Sequence, residues 1–165
     1  MHPLRRHRQD HPRHRRRLAL RVVVSGIVAS LASAAVAALC SRAANGHAAR
    51  PLNAITHIYD GGEPPARDGY GKRNTLLGSG IHTLASLWWA AFHQIAFRTQ
   101  ADKVSAGAAT AVLAYFVDYH VVPRRLQPGF EAHLSPRALA AVYVALALAL
   151  AAGSRLRVER LRAGR

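Results

Sequence analysis

Acidic residues are scarce in this sequence: 8 Asp and Glu stand against 23 Lys and Arg, a formal charge of +15 over 165 residues. Cysteine occurs once, at Cys40, which excludes an intrachain disulfide and any CxxC zinc motif. Leu39 precedes it where a lipid-attached cysteine wants a small residue, so Cys40 reads as a small apolar residue near a helix end. Aromatic residues amount to 7% and none interleaves with the basic N-terminal run, which removes the stacking platforms of a single-strand nucleic-acid binder. Most telling is where charge is missing. Residues 22–41, 75–97, 104–117 and 138–154 contain no Asp, Glu, Lys or Arg. A soluble basic domain would intersperse its charges with apolar residues on a helical or strand period. Here they are segregated along the chain, and that pattern belongs to a polytopic membrane protein.

A helix that crosses ~30 Å of hydrocarbon needs about 20 residues, and each block has end signals to match. The first span runs over about 22–40, between Arg21 and Arg42. The second, 75–97, has Asn74 as an N-cap behind Lys72 and Arg73 and is closed by Arg98. The third, 104–122, opens at Asp102 or Ser105 and stops at Pro123, which cannot continue helical hydrogen bonding. The fourth, 136–153, starts at Ser135-Pro136 and ends at Gly153 before Arg155. No block alternates with period two, so the expected fold is all-α, four transmembrane helices in a bundle. The short 98–103 turn makes spans two and three an antiparallel hairpin of spatial neighbours.

Orientation follows from where basic residues gather. The N-terminal tail, the 98–103 turn and the C-terminal tail hold 15 of the 23 Lys and Arg, so both termini are expected to be cytoplasmic and the 42–74 loop periplasmic. Residues 1–21, with 8 Arg, 4 His and one acid, read as a disordered basic tail that adheres to anionic lipid headgroups, and 155–165 as a second basic tail. Nucleic acid is not the expected partner. Tail and first span together imitate a secretory signal, with Ala35-Val36-Ala37 as a cleavage-like site. The apolar run is longer than the usual 7–15 residues of such signals, so a retained anchor is expected. The 42–74 loop is rich in turn chemistry, with a short interfacial helix from Ala54 to Tyr59, and forms a lid over the outer helix ends. Its Gly69 and Gly71 do not follow a strand and make no phosphate cradle, and no cofactor is expected.

Ionisable side chains inside hydrocarbon cost about 2.5–3.5 kcal/mol, which makes them the leads to function. There are His82 and His93 in span two and Asp118 and His120 in span three. Depth along the antiparallel helices places His82 and Asp118 within reach of one another near the outer boundary. His120 and the hydroxyls of Tyr115 and Tyr119 complete an expected polar cluster. His93 lies ~16 Å further along the axis, a separate second polar site. His82, Asp118 and His120 are the candidate metal ligands, but Asp118 and His120 stand about 200° apart on a regular helix and converge only if it loosens before Pro123. The plainer reading is an interhelical hydrogen bond from Asp118 to His82 or a Tyr. No nucleophile stands beside the cluster, so no catalytic residue is assigned. Small residues recur every four positions at Ser25, Ala29, Ser33 and Ala37, at Gly26, Ser30, Ala34 and Ala38, and at Ala141, Ala145 and Ala149. These are close-packing stripes within the bundle or between protomers.

Asn74-Thr75-Leu76-Leu77-Gly78-x-Gly80-Ile81-His82 with Ser86-Leu87-Trp88-Trp89-Ala90, and Val117-Asp118-Tyr119-His120-Val121-Val122-Pro123-x-Arg125-Leu126-x-Pro128-Gly129-Phe130-Glu131, resemble a group of small proteobacterial inner-membrane proteins. The resemblance covers roughly residues 72–153, implies four membrane helices and the bacterial inner membrane, and carries no activity with it. The expected class is a non-enzymatic integral membrane protein, accessory to a membrane assembly. The alternative is a small oligomeric transporter or channel-like protein using His82 and Asp118, and the third is a membrane-embedded metal-dependent enzyme. Expected partners are the bilayer and a second copy or another membrane protein.

Overall fold

In the computed structural model, residues 10–155 are described, and among them there are helices, turns and loops but no strand. Residues 1–9 and 156–165 of the expected basic tails lie outside the described residues. Four long helices fall where the charge-free blocks predict them: α1 (Asp10–Asn45), α4 (Lys72–Ala96), α5 (Lys103–Phe116, continued by a π-helical turn Val117–Val121) and α6 (Pro136–Arg155). Two short helices, α2 (Arg50–Ala54) and α3 (His57–Asp60), lie in the 42–74 loop. The segments Arg15–Asn45 and Pro136–Arg155 are long and apolar enough to cross a membrane. His82, His93, Gln94 and several hydroxyl residues dilute the hydropathy of α4, and α5 keeps regular α-geometry for only 14 residues.

Helix α1 begins at Asp10, upstream of the expected boundary, so residues 10–21 continue the helix instead of forming an irregular tail. Arginine is a good helix former, and a long apolar segment downstream has already met the cost of nucleation. At α4 the expected Asn74 cap is corrected: the helix starts at Lys72 with Gly71 as its cap residue. The Gly71 N–H donates to Thr75 Oγ1 at 3.0 Å, and Asn74 accepts from Arg67. The other two start signals hold. Asp102 accepts from Val104 N and Ser105 N, and the Ser105 hydroxyl, together with these amides, keeps its carboxyl below the usual range. Ser135 accepts from Ala138 N ahead of Pro136.

Packing departs from the hairpin expectation. Helices α4 and α5 are consecutive, yet α4 packs chiefly on α1 and α5 chiefly on α6, with α1 and α6 forming the largest interface and α4 touching α5 only slightly. The reason is in the small-residue stripes. Ser25, Ala29, Ser33 and Ala37 are all buried, and Ser41 extends the same row. A Cβ built on Gly153 would lie 2.4 Å from Ser25 Cβ, and one on Gly107 would lie 2.4 Å from the Ala147 carbonyl oxygen. Backbones at these crossings approach more closely than any side chain permits, which draws α6 onto α1 and α5 onto α6.

The loops pack at the opposite end of the bundle from the α4–α5 turn. Buried Asn53 ties them together: its amide nitrogen donates to Arg67 O (2.7 Å) and Gly69 O (2.9 Å), and its Oδ1 accepts from Thr75 Oγ1 (2.8 Å). The expected helix from Ala54 to Tyr59 is instead divided between α2 and α3, with Ile55 and Thr56 as the break.

The crossings make a direct test. Gly107→Ala should destabilise the purified protein by about 1–3 kcal/mol through overpacking. Gly80→Ala, where a Cβ meets nothing within 4 Å, should raise stability by about 0.5–1 kcal/mol. Equal effects in thermal denaturation would show that α5 and α6 do not approach as described.

Candidate functional site

Because α4 and α5 stand apart, a cavity of about 100 Å³ remains between the helices at the loop end. That is room for a small molecule or several waters. Helix α4 supplies Ile81, His82, Ala85, Ser86 and Trp89, while α6 supplies Val142, Tyr143 and Leu146. Ser33 comes from α1, and the π-turn contributes Asp118. Ile55 and Ile58 from the 42–74 loop, with Leu126, Pro128 and Phe130 from the loop after α5, close it as a lid.

The placement of Asp118 follows from Pro123. Proline has no N–H to donate, and the last turn of α5 widens, with Val122 N donating to Val117 O at 3.0 Å across a π-turn. The freed Tyr119 carbonyl accepts instead from Gln127 Nε2 at 3.2 Å. This turn brings Asp118 against α6, where Tyr143 O–H donates to Asp118 Oδ2 at 2.7 Å. His82 Nε2 lies 3.0 Å from Ser33 Oγ, and its ring packs on Phe130 with centroids 5.7 Å apart. His82 and Asp118 thus line one cavity, but each has its own hydrogen-bond partner.

His120 is not in the cluster. It is exposed and packs on the rings of Tyr115 and Phe116. The loosening of the helix does occur, yet it turns Asp118 and Tyr119 inward and leaves His120 outside. Accordingly, among the described residues His82, Asp118 and His120 form no metal-binding group. Tyr115 contributes its ring, edge-on to Tyr143 at 5.4 Å and tilted on Tyr119 at 5.2 Å, and gives no hydrogen bond to the cavity among the described residues. The Tyr119 hydroxyl is buried without a hydrogen-bond partner among the described residues.

His93 occupies a second, separate polar site, and it binds more helices together than the first. It is buried to 2% exposure, with Nδ1 2.9 Å from Thr110 Oγ1 on α5 and Nε2 2.8 Å from Ser154 Oγ on α6. Gln94 Nε2 donates to Ser154 Oγ at 3.2 Å and to Ser25 Oγ on α1 at 3.5 Å. One connected network therefore joins all four long helices. Its protons can be counted. Thr110 Oγ1 also lies 2.9 Å from Ala106 O, and Ser154 Oγ 3.0 Å from Leu150 O, but each hydroxyl has one proton. A neutral ring is satisfied when Nε2–H donates to Ser154, which donates to Leu150 O, while Thr110 donates to Nδ1.

Sequence reasoning missed Ser33, Tyr143, Thr110 and Ser154 as partners. The signal was present in part: Tyr143 is the sole aromatic of its charge-free block, and Thr110 interrupts a run of small apolar residues. Buried hydroxyls in such blocks pair with the ionisable side chains or turn back on their own i−4 carbonyls. No family model, curated protein or solved structure matches the chain.

Two mutational outcomes follow. In a double-mutant cycle, Asp118→Asn with Tyr143→Phe should show a coupling of about 1 kcal/mol or more, exceeding that between Asp118→Asn and His82→Ala. The reverse order would mean that His82 and Asp118 pair directly. His93→Ala should cost about 3 kcal/mol, since it opens a hole at a fully packed position and removes the hydrogen bonds that link α4 to Thr110 of α5 and to Ser154 of α6. A loss below about 1 kcal/mol in denaturant titration would show that the network does not hold the bundle.

Proposed function

We propose that this chain is a four-span integral protein of the bacterial inner membrane, with both termini cytoplasmic, and that it is a non-enzymatic binding component. Its ligand is a small, mainly apolar molecule with one polar group, held in the cavity under the periplasmic loops. The cavity carries the reading: apolar walls from Ile55, Ile58, Ile81, Val142 and Leu146 surround a few convergent polar groups, His82, Ser33, Asp118 and Tyr143.

Support for the membrane setting comes from the outward faces. Leu31 and Leu39 of α1, Leu84 and Trp88 of α4, Val112 and Phe116 of α5, and Val144 and Leu148 of α6 are all more than half exposed. Apolar side chains on every long helix are costly in water and at home in lipid. The basic residues of the α4–α5 turn lie at the end opposite the loops, in keeping with retention on the cytoplasmic side.

A transporter or channel-like oligomer remains the second reading, with His82 and Asp118 on its pathway. Between that cavity and the His93 network lies an apolar layer that includes Ala90, Ala111, Ala114, Leu146 and Leu150, and transport would require this layer to part. The metal-dependent enzyme has no convergent ligand set among the described residues to support it.

Two measurements test the proposal. A periplasm-active reporter should be silent when fused after Arg165 and active when inserted in the 61–70 loop; the opposite pattern would overturn the topology. For the cavity, a panel of small phenols and aliphatic alcohols should quench Trp89 fluorescence and protect the fold. A ligand at 100 times its Kd adds about 2.7 kcal/mol. Val142→Trp, which fills the space, should abolish both effects. Protection that survives this filling would place the ligand elsewhere.

A further inference from the structure

At the other end of the bundle a second, larger cavity of about 400 Å³ lies between α1 and the α4–α5 turn. Arg17, Arg21 and Leu18 of α1, Arg98 and Lys103 of the turn, Gln94 and Ser154 line it. Four of these seven residues are cationic, and they come from two separate parts of the chain. Gln94 is buried to 7% exposure and belongs, with Ser154, to the His93 network, so the floor is polar and held in place while the walls are positive. Asp102, the acid of this turn, is committed to the N-terminus of α5 through two backbone amides. Lys103 reaches back to the Phe97 carbonyl at 3.3 Å, which holds its ammonium near the turn and not in the solvent.

Convergent guanidinium and ammonium groups around a polar floor are the chemistry of phosphate recognition: arginine offers planar paired donors, lysine a point charge. We infer that this cavity is a phosphate-binding site. The phosphate is either the diester of an anionic lipid headgroup at the cytoplasmic surface or a free phosphate. This is a defined pocket on the folded domain and does not depend on the basic residues ahead of it. Bound anion would draw α1 toward the α4–α5 turn and bear directly on Gln94 and Ser154, so occupancy should tighten the four-helix network. The lipid source rests on the four-span reading; the phosphate chemistry does not.

The full chain in neutral detergent is titrated with inorganic phosphate, with mixed micelles containing phosphatidylglycerol, and with mixed micelles containing phosphatidylcholine, reading thermal stability and stoichiometry. Saturable protection by phosphatidylglycerol at about one lipid per chain, with phosphatidylcholine inert, assigns the lipid headgroup. Saturable protection by inorganic phosphate alone assigns a free phosphate. Arg21→Gln with Lys103→Gln should weaken the effective anion by about 25-fold, roughly five-fold per removed cation. The charge-conserving pair Arg21→Lys with Lys103→Arg should retain most of the affinity and reports whether the fold is intact. Arg124→Gln with Arg125→Gln, which removes the same charge from exposed residues at the loop end, should leave binding unchanged. Equal loss in both glutamine pairs, or protection by neither anion, overturns the site. A reversed reporter topology would overturn the membrane reading and leave a phosphate result standing, so the two failures are separable.

Discussion

Ser25, Ala29, Ser33, Ala37 and Ser41 contribute nothing larger than a methyl or hydroxymethyl group to the buried face by which α1 packs on α6 and α4. This contact sets the rest of the architecture. Gly153 meets Ser25 at a distance that admits no Cβ, and Gly107 does the same against the backbone of α6. In lipid, where apolar area gives no advantage, dispersion contacts and short interhelical hydrogen bonds are what remain. The sequence of stripes therefore agrees with the exposure of large apolar side chains on the outer faces.

From that arrangement follow two polar sites at opposite ends. With α1 and α6 drawn together, α4 and α5 are left apart, and the gap becomes the cavity that His82 and Asp118 line. Toward the other end the gap is filled by His93, whose two ring nitrogens reach α5 and α6 and whose neighbour Gln94 reaches α1. The layer between them is apolar, mostly alanine and leucine with Trp89. One end holds a cavity with mostly apolar walls and a few polar groups; the other is satisfied internally and faces a basic cavity. The same serines and threonines serve both purposes, donating to carbonyls of their own helix or to a ring across the interface.

Much of this was legible residue by residue. Blocks without charge located the four long helices, Asp102 and Ser135 marked two starts, and Pro123 marked a stop. The depth of His82 and Asp118 placed them at one level, and eleven residues of helix separated His93 from them. The pairing partners were not legible, because a hydrogen bond depends on the rotation of two helices and sequence spacing fixes that only within one. His120 shows the limit: the loosening of its turn was foreseeable from Pro123, but the side to which it would turn depended on Tyr143 and Gln127.

What the sequence by itself determined is the set of four long helices, the starts of α5 and α6 and the stop at Pro123, since these depend on spacing, capping and charge within about 20 consecutive residues. Only the tertiary structure decided which helices touch, that α4 and α5 part although a short turn joins them, and that Asp118 meets Tyr143 while His82 meets Ser33. Those outcomes rest on close approach between backbones far apart along the chain, as where Gly107 meets Ala147 and Gly153 meets Ser25. A missing Cβ has no preference of its own; it acquires one only when a second helix arrives to fill the space.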